Sequence, residues 1–215
     1  MEFVFEQIRT GGDRNLGYLV GARGPGVAFA VDPSFSPERF EERARAQRLT
    51  ITRILNTHGH GDHTNGNAAL KHLTGALVAA HPLLRPDLPL ADGATLAVGP
   101  IAIHVMQVPG HSPDHLLFHL PAQKVALTGD LLFVGKIGGT GDDDAARTEY
   151  ASLQRVMRSL PDETTVWPGH DYGCRPSSTI GLERANNPFL AVADVAAFLA
   201  LKREWPDFKA RHGLA

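Results

Sequence analysis

One eight-residue segment constrains this chain more than any other. Thr57-His58-Gly59-His60-Gly61-Asp62-His63-Thr64 places three imidazoles and a carboxylate within six residues. At the chain's own His and Asp frequencies, a chance match to H-x-H-x-D-H arises in roughly two of a thousand such sequences. Glycines at 59 and 61 let the backbone fold tightly enough for these side chains to converge. The spacing is not the i, i+4 His pair of a zincin helix. An exposed polar turn has no reason to collect imidazoles, so the segment reads as a metal-ligating loop.

Three more potential ligands follow strand-like runs. His111 comes after Ile101–Val108, Asp130 after Lys124–Thr128 and His170 after Thr164–Trp167. Each sits at the C-terminal end of a strand, where an α/β sheet usually holds its site. Together the chain offers five His and two Asp, too many for one tetrahedral zinc. The set fits a two-metal site bridged by a carboxylate.

The rest of the pattern predicts an α/β layered domain. Phe3 to Ile8, Leu16 to Val20 and Val27 to Val31 read as strands. Ser36-Pro37 opens a helix to about Gln47, with Ser36 as its N-cap. Ile51–Leu55, Ala76–Ala80, Thr95–Val98 and His115–Leu120 read as further strands, and Asn67–Leu73 as a short helix. Asp144–Leu160 has helical periodicity, as does the tail from Val192 to Glu204. The 215 residues are expected to form a single domain, with a short C-terminal helical extension from about residue 190.

Composition closes off other classes. Lys plus Arg number 21 against 23 Asp plus Glu, a net charge of -2, with no basic excess to argue for nucleic acid. One cysteine, Cys174, excludes an internal disulfide framework and a thiolate cage, and reads as an ordinary loop residue. The N-terminus lacks the basic and apolar regions of a secretory signal, and no run is long enough for a membrane span. The expected location is the cytoplasm.

At His58-x-His60-x-Asp62-His63, His111, Asp130 and His170 the chain resembles the metallo-β-lactamase fold superfamily of metallohydrolases. The resemblance runs from Asp32-Pro33 to Asn187-Pro188-Phe189. It implies a four-layer αββα sandwich with the metals along one edge. His58, His60 and His111 would hold one divalent ion, Asp62, His63 and His170 a second, and Asp130 would bridge them. Zinc is the expected metal, with iron or manganese as alternatives. Asp32 would lie behind the ligands and hold the far nitrogen of an imidazole.

Within the superfamily the chain looks most like glyoxalase II, which hydrolyses hydroxyacylglutathione thioesters. Pro168-Gly169-His170-Asp171-Tyr172 and the run from Pro176 to Phe189 are both similar to that group. Persulfide dioxygenases share much of the second pattern. They hold one iron in the manner of His58, His111 and Asp130. The resemblance therefore implies a metal-bridging hydroxide that attacks a thioester or ester carbonyl, with Asp62 also orienting the nucleophile. The alternatives are a mononuclear iron persulfide dioxygenase and a non-catalytic metal-binding module.

The chain departs from glyoxalase II after Asp130. The Gly-Cys-Gly-Lys/Arg segment and its aromatic are replaced by Gly135-Lys136-Ile137-Gly138-Gly139-Thr140-Gly141-Asp142, and the C-terminal region is short. Tyr172 matches a glutathione-contacting tyrosine, and Lys136 lies nearby. These two are the candidate substrate contacts, for a small anionic thioester or ester. Among the remaining residues, His104 and His119 are expected at the surface, and His115 on a partly exposed strand. His81 is expected to cap a strand end. Asp142, Asp143 and Asp144 are expected as a solvated run at a helix N-terminus.

Overall fold

In the computed structural model, which describes residues 2–213, the chain opens with an antiparallel meander. Its strands are β1 (Phe3–Gly11), β2 (Asn15–Ala22) and β3 (Val27–Val31). Every residue of β2 is buried, because both of its faces are covered. α1 (Pro37–Ala46) carries the chain to β4 (Thr50–Leu55), parallel to β3. α2 (Gly61–Thr64) and α3 (Asn67–Thr74) lead to β5 (Leu77–Ala80) and the two-residue β6 (Leu88–Pro89). These six strands form one sheet in sequence order.

The second sheet is antiparallel through β7 (Thr95–Val98), β8 (Ile101–Gln107), β9 (Leu116–Leu120) and β10 (Val125–Gly129). α4 (Asp143–Ser159) then crosses to β11 (Thr165–Pro168), parallel to β10, and β12 (Ser178–Thr179) closes the edge. α5 (Ile180–Asn186) and α6 (Val195–His212) follow.

Three apolar layers hold four structural ones. Leu16, Tyr18, Phe29 and Val31 of the first sheet meet Ile103, Val105 and Phe118 of the second. In β8, buried Ile101, Ile103 and Val105 alternate with exposed Ala102 and His104, the period of a strand. Phe40, Ala44 and Leu70 cover the outer face of the first sheet, and Leu153, Val156, Ile180 and Phe198 that of the second. Each such large side chain contributes about 1.5–3 kcal/mol on burial. The architecture is the expected αββα sandwich.

Local chemistry differs from expectation at a few points. The Ser36 hydroxyl donates to Thr10 O at 2.8 Å and does not cap α1. Asp142 does cap α4, accepting from Ala145 N at 2.8 Å, and Asp143 pairs with Arg203. The His81 ring accepts from Leu83 N at 3.2 Å, capping the single turn after β5. The tail helix runs to His212, past the expected Glu204, with Pro206 inside it. Among the described residues, no helix is long and apolar enough to cross a membrane.

Candidate metal centre

The seven candidate ligands come from strand ends that meet along one edge of the sandwich. β4 ends at Leu55 and releases the segment with His58, His60, Asp62 and His63. β8, β10 and β11 release His111, Asp130 and His170 from the second sheet. The start of β2 ties the two sheets together here. Leu16 N donates to Gly169 O at 2.8 Å, and the Tyr18 hydroxyl to Pro168 O at 2.6 Å. Asn15 Nδ2 donates to Asp62 Oδ2 at 2.9 Å. Gly129, before Asp130, sits at φ +51°, and a Cβ there would meet Thr57 and His115. Glycine alone lets the two sheets approach so closely at this point.

The side chains form two clusters that share a carboxylate. His60 Nδ1 lies 2.9 Å from His58 Nε2 and 3.0 Å from His111 Nε2. His63 Nε2 and His170 Nε2 are 3.2 Å apart, and Asp62 Oδ2 lies 3.6 and 3.5 Å from them. Asp130 stands between. Its Oδ2 is 3.5 Å from His111 Nε2 and 3.2 Å from His170 Nε2, and its Oδ1 is 3.5 Å from His63 Nε2.

Hydrogen bonds on the outer side of each ring fix what faces inward. His111 Nδ1 donates to Gly139 O and His170 Nδ1 to Asp13 O, both at 2.8 Å. His63 Nδ1 donates to Asp32 Oδ2 at 3.1 Å. The Thr57 hydroxyl gives its proton to Asp32 Oδ2 at 2.6 Å and receives that of His58 Nδ1 at 3.1 Å. In their neutral forms all four rings therefore turn Nε2 lone pairs inward. The facing Nε2 lone pairs of His63 and His170, 3.2 Å apart, repel unless a cation lies between them. Asp130 Oδ1 is also buried with no hydrogen-bond donor. This nitrogen and oxygen donor set fits divalent cations such as zinc.

Without a metal, a proton takes that place. Burial lowers the His63 pKa, but Asp130 and Asp32 outweigh it and lift the pKa to about 11. Burial raises the Asp130 carboxyl, and His170 and His63 overcome this to hold it well below the usual range. Burial and the adjacent His115 and His63 keep His58 neutral.

Asp32 is 2% exposed at φ +46°, and its carboxylate also accepts from Thr57 N at 2.9 Å. His115 corrects the expectation of partial exposure. It is fully buried, stacks on His58 at 5.0 Å, and accepts the Asp130 backbone N–H on Nε2 at 3.0 Å. Burial, then His111, lowers its pKa to about 3. Its distance of four residues from His111 was the signal. Nothing in the sequence marked Asn15, which reaches Asp62 only across the fold.

The family model described as the Metallo-beta-lactamase superfamily matches residues 10–170. The chain belongs to that superfamily. A hydroxyacylglutathione hydrolase of Anaeromyxobacter dehalogenans is 34% identical, over 95% of this chain and 92% of its own length. The mouse mitochondrial persulfide dioxygenase ETHE1 is 30% identical, over 82% of this chain and 71% of its own. Among solved structures, ETHE1 from Myxococcus xanthus superposes with a TM-score of 0.87 at 30% identity, covering 94% of this chain and 91% of that one.

Beside the superfamily cluster lies a cavity of about 290 Å³ lined by Arg14, Phe133, Lys136, Tyr172, Trp205 and Lys209, among others. The Tyr172 ring stacks on His170 at 4.7 Å. Its hydroxyl already donates to Asp13 Oδ2 at 2.7 Å. The Arg14 guanidinium lies 4.9 Å and the Lys136 ammonium 5.8 Å from the centre of that ring. Burial, then Lys209 and Arg14, lowers the Lys136 pKa, the mark of cations crowded around one space. Tyr172 and Lys136, the expected substrate contacts, both line this cavity. Sequence reasoning missed Arg14, Lys209 and Trp205, which reach the cavity from a turn and from α6.

Proposed function

We propose that this chain is a dinuclear metal-dependent hydrolase of a small anionic thioester or ester. One observation carries the reading: the Asp130 carboxylate lies within 3.5 Å of His111 on one side and of His63 and His170 on the other, and every imidazole whose outer partner is fixed points Nε2 inward. His58, His60 and His111 would hold one ion and Asp62, His63 and His170 the other, with Asp130 available to both. Zinc fits these donors, with iron or manganese as alternatives. Two such ions would supply Lewis acidity towards the carbonyl and would lower the pKa of water towards about 7.

The chain's own residues do the rest. Asp62, held by Asn15 and partly exposed, orients the attacking water. Arg14, Lys136 and Lys209 attract the substrate's anionic group into the cavity beside His170. Tyr172 serves chiefly as a flat wall, since its proton is held by Asp13. A thiolate leaving group departs without an acid. Glutathione thioesters are accepted weakly, and small acyl or lactone substrates better.

The test pairs metal analysis of the purified protein with steady-state hydrolysis of lactoylglutathione and of a thioester lacking the glutathione peptide. Two metals per chain and turnover of both compounds are expected. A second reading, a mononuclear iron persulfide dioxygenase, draws on the likeness to ETHE1 over almost the whole chain. One iron per chain, no thioester hydrolysis and oxygen uptake on glutathione persulfide would replace the first reading with the second.

A further inference from the structure

Away from the ligands, α4 and α6 share a buried ion pair that packing alone does not require. Glu149 in α4 is fully buried and pairs with the Lys202 ammonium of α6, whose side chain is 13% exposed. Glu149 Oε1 has no hydrogen-bond donor. A buried pair left incompletely satisfied is replaced in many proteins by apolar side chains with no loss of stability. Its geometry points to another purpose.

Lys202 Nζ also donates to Gly138 O at 3.0 Å. Gly138 packs so tightly that a Cβ there would run into Asp130 O and His111 Nδ1. The next carbonyl, Gly139 O, is the acceptor for His111 Nδ1 at 2.8 Å. On the other side, the backbone and Cβ of Glu149 close on Gly110, the residue before His111, at φ +142°. Only glycine fits that conformation and that space. His111 is thus gripped twice, by α4 through Gly110 and by α6 through Gly138 and Gly139. The other cluster has different anchors: Asp32 for His63 and Asp13 O for His170.

We infer that Lys202, with Glu149 as its counter-charge, is a positioning residue for His111. It holds the Gly138–Gly139 backbone so that the His111 ring presents Nε2 to His58 and His60. The C-terminal helix is thereby part of one metal position and not of the other. The inference rests on the proposed role of His111 as a ligand.

The test separates positioning from packing by removing both charges at once. Wild type, Glu149→Met/Lys202→Met, Lys202→Met and Lys202→Arg are stripped of metal. Each is then titrated with cobalt(II), following the absorption bands of the bound ion and its affinity by dialysis. In the double variant the thermal midpoint of the metal-free protein is expected to stay near that of wild type. One of its two cobalt positions should weaken about 10–100-fold with altered bands, and the other should not change. Lys202→Met should weaken the same position, and Lys202→Arg, which keeps a donor for Gly138 O, should recover most of the affinity.

Wild-type affinity and bands at both positions in the double variant would overturn the inference. Equal weakening of both positions together with lost stability would also overturn it, marking Lys202 as a packing residue. If the double variant does not fold, Lys202→Met against Lys202→Arg decides, since equal affinities would refute the role. If wild type binds no cobalt at all, the metal reading falls and takes this inference with it.

Discussion

Asp32→Asn is the most informative single change outside the candidate ligands. Asparagine tolerates the left-handed backbone at φ +46°, so the substitution alters the side chain's chemistry and spares the turn. The native carboxylate accepts four bonds, from Thr57 N at 2.9 Å, Thr57 Oγ1 at 2.6 Å, His63 Nδ1 at 3.1 Å and, more weakly, Asn56 Nδ2 at 3.4 Å. An amide replaces one accepting oxygen with a donor, so at least one buried donor loses its partner in either flip. That costs about 1–3 kcal/mol of stability in the metal-free protein.

The charge adds a pH signature. His63 has its folded pKa raised from 6.5 to about 11, with Asp32 as one cause. Its contribution to stability is full below about 6.5 and is lost as pH rises through about 11. The gap between wild type and variant should therefore be widest near pH 6 and narrow towards pH 10. With metal present, losing the partner that orients His63 should weaken the Asp62–His63–His170 position about 10–100-fold, or about 1.4–2.7 kcal/mol. Chemical denaturation of the stripped protein at three pH values and competition with a chromophoric chelator measure the two effects. A variant with both affinities within twofold of wild type, and a stability gap flat with pH, would refute the account.

Asp130→Ala should remove both metals and activity together, whereas His58→Ala should spare the other position in part; metal analysis beside turnover distinguishes them. His115→Phe keeps the stack on His58 but loses the acceptor for Asp130 N, and should cost about 1–3 kcal/mol in thermal unfolding of the stripped protein. Glu149 is raised by burial from 4.5 to about 7, so its contribution to stability is present below about pH 4.5 and lost as pH rises through 7. Relative to Glu149→Gln, the metal-free wild type should lose on the order of 3 kcal/mol over that window, read from denaturation at several pH values. Arg14→Ala and Lys136→Ala should raise KM for anionic substrates several-fold with little change in kcat, more strongly at low salt; a kcat effect without a KM effect would place these cations elsewhere.

The layered fold was legible because strands and helices leave local periodic marks. β8 alternates buried and exposed residues as its sequence does, and α4 shows its apolar face at helical spacing. The seven candidate ligands were legible for a related reason. Four lie in one short loop, and the other three each follow a strand end, so local spacing alone drew attention to them. Short elements with little periodicity, such as α2, α5 and β12, left no such mark.

What surrounds those ligands was decided by the tertiary structure. The partners that fix each imidazole are a carbonyl at Gly139, a carbonyl at Asp13 and a carboxylate at Asp32, and backbone carbonyls have no sequence signature. His115 read as a strand residue of ordinary exposure until the packing of two sheets buried it against His58. Arg14, Lys136 and Lys209 stand far apart in the chain and act on one cavity only because a turn, a loop and a helix meet there. Residue type and local spacing set which atoms can bind a metal. Long-range contacts set their tautomers, their charge and the direction in which they point.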